Sequence, residues 1–201
     1  MNLQTFDVIA VFDFDGTITS KDTLFDFIRF YHGTPRLIAG IGILSPILVL
    51  FKLGFITNSK AKQILFSYFF GGKKESDFNA VCERYASRIN EITVPEAIAK
   101  IRRHQQDGHA VIIASASVYN WIAPWAKSMN INAVIATRIE VKDGIITGKF
   151  HGANCHGQEK VERLMELYPD RDNYQLYAYG DSNGDKQLLE IADYPFYRRF
   201  F

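Results

Sequence analysis

Short apolar runs, each ending at polar residues, constrain the fold of this chain more than any other feature. The first run, Val8 to Phe12, contains only β-branched, aromatic and small apolar residues, which predicts a strand buried on both faces of a sheet. Similar runs occupy residues 109–114, 133–136 and 174–179, and the segments between them show helical periodicity. Because strands alternate with helices, the sequence predicts an α/β fold with a doubly wound parallel sheet.

The region between the first strand and Thr93 shows several helical patterns and no strand-like alternation. Helices are predicted to begin near four residues: Asp22, Pro35, Asn58 and Glu75. We therefore expect residues 1–16 and 94–201 to form the α/β core, and residues 17–93 to form an all-helical cap. An insertion after the first strand would place a mobile lid over the strand ends.

Residues 138–150 interrupt the alternation of strands and helices. Apolar residues alternate on both sides of Lys142-Asp143-Gly144, which is typical of a turn between antiparallel strands, so a β-hairpin is predicted. Before the hairpin, Pro95 favours the start of a helix and Gly108 its end. After the hairpin, the amphipathic residues 157–168 predict a second helix.

Composition excludes several classes of protein. Of the 201 residues, 47% are hydrophobic and 22% charged, so a globular core is expected and disorder is not. The net charge is +1 and the basic residues are scattered, which argues against a nucleic-acid partner. Cys82 and Cys155 match no disulfide or zinc pattern, and the first apolar run is too short for a signal sequence. We expect a cytoplasmic protein.

Two aspartates follow the first strand directly, in the motif Asp13-Phe14-Asp15-Gly16-Thr17. Open α/β sheets bind ligands at the carboxyl ends of their strands, so both carboxylates are expected to face one crevice. Phosphoryl transfer needs a nucleophile and a group that protonates the leaving oxygen, and Asp13 and Asp15 could supply them. A calcium loop is the alternative, but Ile18 and Leu24 stand where an EF-hand needs Gly and Glu.

A second acidic cluster follows the apolar run at 174–179. Its two aspartates, Asp181 and Asp185, would complete a site for a hard cation together with Asp13. These acids meet only if the two strands are neighbours in one parallel sheet. Helix capping by Asp181 or Ser182 is the alternative role, and it can coexist with metal binding.

Two further residues have positions that suit phosphate binding. Ser115 precedes a predicted helix at 118–129, where a hydroxyl and backbone amides can hold a phosphate oxygen; a helix N-cap is the alternative. Lys160 lies near the start of the helix at 157–168, where a lysine gains nothing from the helix dipole. A solvated surface lysine is the alternative for that position.

The order of these motifs is similar to that of the haloacid dehalogenase superfamily. Asp13-x-Asp15-Gly-Thr17, Ser115, Lys160 and Gly180-Asp181-Ser-x-x-Asp185 match its four signature motifs, in order and on the expected elements. The helical insertion after the first motif resembles the cap of the phosphoserine-phosphatase-like branch, subclass IB. The resemblance covers nearly the whole chain.

This resemblance implies a magnesium-dependent phosphatase. Asp13 would form an aspartyl-phosphate, and Asp15 would protonate the leaving group and then activate water. Mg²⁺ would be held by the Asp13 carboxylate, the Asp15 backbone carbonyl, Asp181 and, as a supplement, Asp185. The substrate phosphate would be bound by Thr17, Ser115, Ala116 and Lys160, and Lys160 would also neutralise charge near Asp13.

Within this branch the chain looks most similar to the phosphatidylglycerophosphatase C type. The similarity rests on Asp22-Thr-Leu-Phe-x-Phe27, the apolar stretch after it, the hairpin, and Asn154-Cys-His-Gly-Gln-Glu-Lys160. Phosphoserine phosphatases usually have Ser-Gly-Gly at Ser115-Ala-Ser117, and they grip the amino acid with a cap glutamate and arginine. Asp22 could replace the glutamate, but residues 58–72 offer no convincing arginine. A lipid phosphate such as phosphatidylglycerophosphate is expected, with phosphoserine or another small metabolite as the alternative.

The segment 37–51 contains no charged residue and is bracketed by Arg36 and Lys52. A helix of this length extends about 22 Å, less than the roughly 30 Å hydrocarbon layer, so a transmembrane span is not predicted. Burial within the cap is expected, and a surface-seeking helix in peripheral contact with a membrane is the alternative. The aromatic run at 65–70 could likewise form cap core or an acyl pocket.

Two other hypotheses stay open. A phosphate- or lipid-binding module without turnover is the alternative from another functional class, although the full set of Asp13, Asp15, Lys160 and Asp181 favours an enzyme. His151, Cys155 and His156 loosely resemble a soft-metal cluster, but their spacing fits no standard zinc site.

Overall fold

The computed structural model describes residues 6–200 and contains a six-stranded sheet with the strand order β4-β3-β2-β1-β5-β6. The strands are β1 (Val8–Phe12), β2 (Ala110–Val118), β3 (Ala133–Lys142), β4 (Ile145–His151), β5 (Gln175–Gly180) and β6 (Tyr194–Tyr197). Neighbouring strands are parallel except β3 and β4, which pair antiparallel. The predicted α/β class with a parallel sheet is confirmed.

The described residues also form eight α-helices. They are α1 (Thr23–His32), α2 (Thr34–Lys52), α3 (Asn58–Phe70), α4 (Glu75–Asn90), α5 (Pro95–Gln106), α6 (Tyr119–Ser128), α7 (Gln158–Leu167) and α8 (Lys186–Glu190). The first four lie between β1 and α5 and begin at or next to the predicted positions. α8 and β6 have no counterpart among the predicted elements, because both are very short.

The predicted hairpin exists, but its first strand is not a separate element. β3 runs without a break from its parallel pairing with β2 into its antiparallel pairing with β4. Asp143 and Gly144 both have positive φ, 51° and 73°, which is the backbone of a type I′ hairpin turn.

The two faces of the sheet bury different side chains of the same strands. On β1, Ala10 and Phe12 belong to one buried cluster, whereas Ile9 and Val11 belong to another. This two-residue alternation within a continuous apolar run is expected for a strand covered on both faces.

The first cluster extends into the inserted helices. Phe27 of α1 stacks on Trp121 of α6 with a centroid distance of 4.8 Å. The aromatic run at 65–70 supplies Leu65, Phe66, Phe69 and Phe70 to this cluster. Of its two predicted roles, therefore, the run serves as packed core.

The expected burial of the segment 37–51 is wrong. Only Gly40 and Leu44 of α2 are buried, and Ile38 and Ile43 are 64% and 62% exposed. α2 contacts α1 and α3 along one side and presents its other faces to solvent. The helix has 19 residues, longer than the predicted segment, and its length and composition alone would allow it to cross a membrane.

Candidate active site

The sheet order brings the two acidic motifs together. β1 and β5 are parallel neighbours in a register that pairs Phe12 with Tyr179, and the Asp13 amide donates to the Tyr179 carbonyl at 2.8 Å. Both motifs therefore leave the sheet at the same edge, where the strand order reverses.

The residue between Asp13 and Asp15 is anchored, because the Phe14 side chain is fully buried in the core. Both aspartates line one crevice. Gly16 then turns the chain with φ +82°, and a Cβ at this position would overlap the Asp181 carboxylate. Glycine at position 16 is thus required for the approach of the two motifs.

Asp185 is held by the loop that carries it. Its Oδ2 accepts from the Asp181 amide at 3.2 Å, the Ser182 amide at 3.0 Å and the Ser182 hydroxyl at 2.8 Å. Ser182 also caps the short 3₁₀ turn Asn183–Asp185, so the predicted capping role belongs to Ser182.

Lys160 is buried, with 2% exposure, and the alternative of a solvated surface lysine is wrong. Its Nζ donates to Asp13 Oδ1 and to Asp185 Oδ1, each at 2.6 Å. Helix α7 places this side chain under the strand ends because its first turn packs beside the acidic loop, where the Gly157 amide donates to the Gly184 carbonyl.

The buried charges of this cluster do not balance. Burial raises the pKa of Asp13 to about 7, against the opposing effect of Lys160. Burial and the neighbouring Asp185 also raise the pKa of Asp181. Burial alone would lower the pKa of Lys160, but Asp13 and Asp185 raise it, so its ammonium stays charged. Lys160 contacts Asp13 and Asp185, and Asp181 adds a third carboxylate to the cluster, so a further cation would relieve the deficit of positive charge.

The donor set fits a hard divalent cation. One carboxylate oxygen from each of Asp13, Asp181 and Asp185 lies within 4.8 Å of the other two. Asp181 Oδ1 is buried and has no hydrogen-bond partner in residues 6–200, as expected for an oxygen that a metal would complete. Within the same residues His151, Cys155 and His156 form no metal-binding group, since Cys155 is buried and contacts the Ile135 carbonyl.

Asp15 faces away from this cluster, toward the inserted helices. Its Oδ1 accepts from the Thr23 amide at 2.8 Å and the Thr23 hydroxyl at 2.6 Å, and its Oδ2 accepts from the Ser117 hydroxyl. Sequence reasoning missed Thr23 and Ser117 as site residues. Their only local signal is a hydroxyl next to a predicted motif, which is too common to select them.

The predicted phosphate-binding residues separate into two groups. Ser115 and Ala116 line the crevice with Asp13, Asp15 and Lys160. Thr17 instead lines a neighbouring cavity of about 260 Å³, and its buried hydroxyl has no partner among the residues that the structure describes.

The N-cap alternative for Ser115 is wrong. β2 continues to Val118 through an irregular register after Ser115, and α6 begins only at Tyr119, without a side-chain cap. Within this irregularity the Ser115 hydroxyl accepts from the Ser117 amide at 3.0 Å.

The crevice has a volume of about 350 Å³, and the inserted helices form one of its walls. This wall includes Asp22, Asn58 and Lys62, and His156 lies at the rim. Apart from Asp22, sequence reasoning assigned these residues no place in the site, because their convergence depends on how α1 and α3 pack over the strand ends.

Comparison with known protein families identifies one family. The model of the haloacid dehalogenase-like hydrolases matches residues 10–190. Protein CicA of Caulobacter vibrioides is 34% identical over 198 residues, which cover 96% of this chain and 86% of that protein.

Two further matches concern a phosphatase and a solved structure. The phosphoserine phosphatase of Idiomarina loihiensis is 32% identical over 105 residues, covering 49% of this chain and 46% of that enzyme. A crystal structure of a protein of unknown function from Bordetella pertussis Tohama I superposes with a TM-score of 0.80 at 22% identity, covering 92% of this chain and 87% of the other. At that identity the superposition concerns the fold alone.

Proposed function

The chain belongs to the haloacid dehalogenase-like hydrolase family and is a phosphatase, and from this we propose that it hydrolyses phosphate monoesters through an aspartyl-phosphate on Asp13. The observation that supports this most directly is the contact of Lys160 with Asp13 and Asp185 at the shared edge of β1 and β5. A buried carboxylate with a lysine beside it and a second acid two residues away provides the groups that phosphoryl transfer needs.

In the first step, a carboxylate oxygen of Asp13 attacks phosphorus, and the bond from phosphorus to the ester oxygen breaks. Asp15 gives its proton to that oxygen, so the alcohol leaves neutral. In the second step Asp15 takes a proton from water, whose oxygen attacks phosphorus and releases phosphate and the Asp13 carboxylate. Lys160 stays charged and offsets the repulsion between Asp13 and the phosphate dianion.

We propose Mg²⁺ as the cation, held by the Asp13 and Asp181 carboxylates and by the backbone of Asp15. Asp185 is already fully hydrogen-bonded, and it holds Lys160 and the Asp181 loop in place. The cation would supply charge neutralisation for the transferring phosphoryl group.

Ser115, Ala116 and Lys160 are the proposed contacts of the phosphoryl oxygens. They line the same crevice as Asp13, and Ser115 is fixed by its hydrogen bond from the Ser117 amide. Because Thr17 lines the neighbouring cavity, we propose that it supports phosphate binding indirectly, by shaping the turn that follows Asp15.

For the substrate we propose a lipid phosphate of the phosphatidylglycerophosphate kind, taken up by a cytoplasmic enzyme in peripheral contact with a membrane. The exposed apolar faces of α2, on the proposed cap of residues 17–93, support this class. Phosphoserine is the second candidate, favoured by the similarity to the phosphoserine phosphatase of Idiomarina loihiensis.

Hydrolysis of an aryl phosphate with Mg²⁺ tests the chemistry, with Asp13→Asn as the comparison. We expect the variant to lose at least about 10³-fold in kcat, since an amide cannot form the intermediate. Equal rates would refute the proposed mechanism, and headgroup binding without turnover in the natural protein would favour a non-catalytic module. A panel of phosphatidylglycerophosphate, phosphoserine and sugar phosphates then separates the substrate classes.

A further inference from the structure

The crevice contains a second lysine that the proposed chemistry does not use. Lys62 projects from α3 and lines the same 350 Å³ crevice as Asp13 and Lys160. Lys160 is held between two carboxylates at 2.6 Å, whereas Lys62 has no carboxylate within salt-bridge distance in residues 6–200. Of these two cations, Lys62 is the one available to a ligand.

The acid that lines the crevice on the same wall as Lys62 already has another role. Asp22 is the N-cap of α1 and accepts from the Leu24 amide at 2.9 Å. Burial and Asp15 raise the pKa of Asp22, and Lys62, on the same wall of the crevice, opposes this effect. Lys62 also lowers the pKa of His156 on the opposite rim, after the larger effects of burial and Lys160. Its ammonium therefore acts on the crevice interior from the cap side.

A second polar group on the same helix also lacks a partner. Asn58 begins α3 one turn before Lys62, and its Oδ1 is buried without a hydrogen bond to any described residue. A buried amide oxygen left without a donor is costly, which indicates a ligand or water at this position.

The cavity beyond Lys62 is closed to acyl chains. Lys62 also lines an apolar pocket with Leu24, Phe66, Trp121 and Phe150, but this pocket holds only about 10 Å³. An acyl chain therefore has no room in this pocket, which leaves Lys62 to act on groups within the crevice.

From these contacts we propose that Lys62 and Asn58 form a second anion-binding subsite, which selects phosphomonoesters whose leaving alcohol has its own negatively charged group. The inference rests on the proposed function and refines its substrate class. A carboxylate or a phosphodiester would each satisfy the Lys62 ammonium by a charge-assisted hydrogen bond. A hydroxyl of the same alcohol can donate to Asn58 Oδ1.

The test compares kcat/KM for three substrates in the wild-type enzyme and in Lys62→Met. sn-Glycerol 3-phosphate has a neutral leaving alcohol, 3-phosphoglycerate adds a carboxylate, and deacylated phosphatidylglycerophosphate adds a phosphodiester. We expect Lys62→Met to lose about 10- to 100-fold on whichever anionic substrate the enzyme prefers, and less than about 3-fold on glycerol 3-phosphate. The anionic substrate with the higher kcat/KM shows whether the subsite binds a carboxylate or a phosphodiester.

Two variants serve as controls. Lys62→Arg is expected to keep the selectivity, and Lys60→Met, an exposed lysine on the same helix, is expected to change nothing. An equal loss on all three substrates would assign Lys62 to the reacting phosphate and overturn the proposal, as would a wild-type enzyme without preference for a second charge.

Binding separates this inference from the proposed function. If the wild-type protein hydrolyses neither these substrates nor the aryl phosphate, the proposed function is wrong, and calorimetry with 3-phosphonopropionate and methylphosphonate decides the role of Lys62. Tighter wild-type binding of 3-phosphonopropionate that is lost in Lys62→Met would support the subsite. Equal binding of both phosphonates would reject it.

Discussion

Lys160 and His104 are both buried, yet their surroundings stabilise opposite charge states. Two carboxylates keep Lys160 protonated, whereas burial, with help from His109 and Lys100, lowers the pKa of His104 to about 4. His104 Nε2 and Nδ1 lie 2.9 Å from the Tyr179 hydroxyl and 2.8 Å from His109 Nδ1. The neutral imidazole thus packs against the end of β5 and hydrogen-bonds to Tyr179 there.

This depressed pKa predicts a pH dependence of stability. The unfolded chain binds a proton at His104 near its ordinary pKa of about 6.5, and the folded chain binds it only near 4. The contribution to the free energy of unfolding is therefore present above pH 6.5 and is lost as the pH falls toward 4. We expect a loss of about 3 kcal/mol between these values.

Urea unfolding at a series of pH values measures this loss. In His104→Gln the slope between pH 6.5 and 4 should become clearly smaller, and the matched substitution of the exposed His151 should leave it unchanged. An unaltered slope in His104→Gln would show that other groups cause the acid sensitivity.

At the scale of elements, α2 is attached to the molecule through one narrow face. Gly40 is buried on that face, and a Cβ there would overlap the Phe69 ring. A Cβ at Gly42, one half-turn further, would meet nothing within 4 Å. Two glycines in one helix therefore have different physical roles.

Alanine at each glycine separates these roles. Gly40→Ala should lower the free energy of unfolding by about 1–2 kcal/mol, because Phe69 must move from its packed position. Gly42→Ala should raise it by about 0.5–1 kcal/mol, because alanine favours the helix without a new contact. Urea denaturation of both variants measures the difference, and equal effects would mean that α2 is not packed against α3 as described.

The exposed side of α2 leads to a prediction about membranes. The double variant Ile38→Gln/Ile43→Gln should bind anionic lipid vesicles at least about 5-fold more weakly than wild type, because apolar contact area is lost. Its stability should change by less than about 1 kcal/mol, since both side chains are already exposed.

Cosedimentation with vesicles provides the measurement. Ile145→Gln, another exposed apolar position outside α2, is the control and should bind like wild type. If the wild-type protein does not bind vesicles at all, the peripheral membrane contact is wrong.

At the scale of the whole molecule, the proposed metal site joins two motifs that are 168 positions apart, Asp13 and Asp181. A cation that binds both in the folded state stabilises the whole fold by mass action, by about 2.7 kcal/mol at a hundredfold excess over Kd. We expect Mg²⁺ to raise the Tm of the wild-type protein in a concentration-dependent way.

The same titration on Asp181→Asn should show most of this shift lost, because one of the two proposed carboxylate ligands is gone. Asp172→Asn removes an exposed carboxylate that precedes β5, at the end of the strand opposite to Asp181, and should keep the full shift. An equal rise of Tm in Asp181→Asn would place the bound Mg²⁺ elsewhere.

The sequence by itself determined the α/β class, the inserted helices and the place of the acidic motifs. These features depend on neighbouring residues: Val8 to Phe12 predicts a buried strand, and Asp13 and Asp15 follow it directly. The meeting of Asp13 with Asp181 was also predictable, because carboxyl ends of adjacent parallel strands share one edge.

Only the tertiary structure decided the contacts between elements that are distant in the chain. The partners of Asp15, the exposure of α2 and the position of Lys62 depend on how the inserted helices pack over the strand ends. An apolar segment has the same local pattern whether its neighbours cover it or not, so its burial cannot be read from that pattern. Packing is set by the summed fit of many distant side chains, and no short stretch of sequence contains that sum.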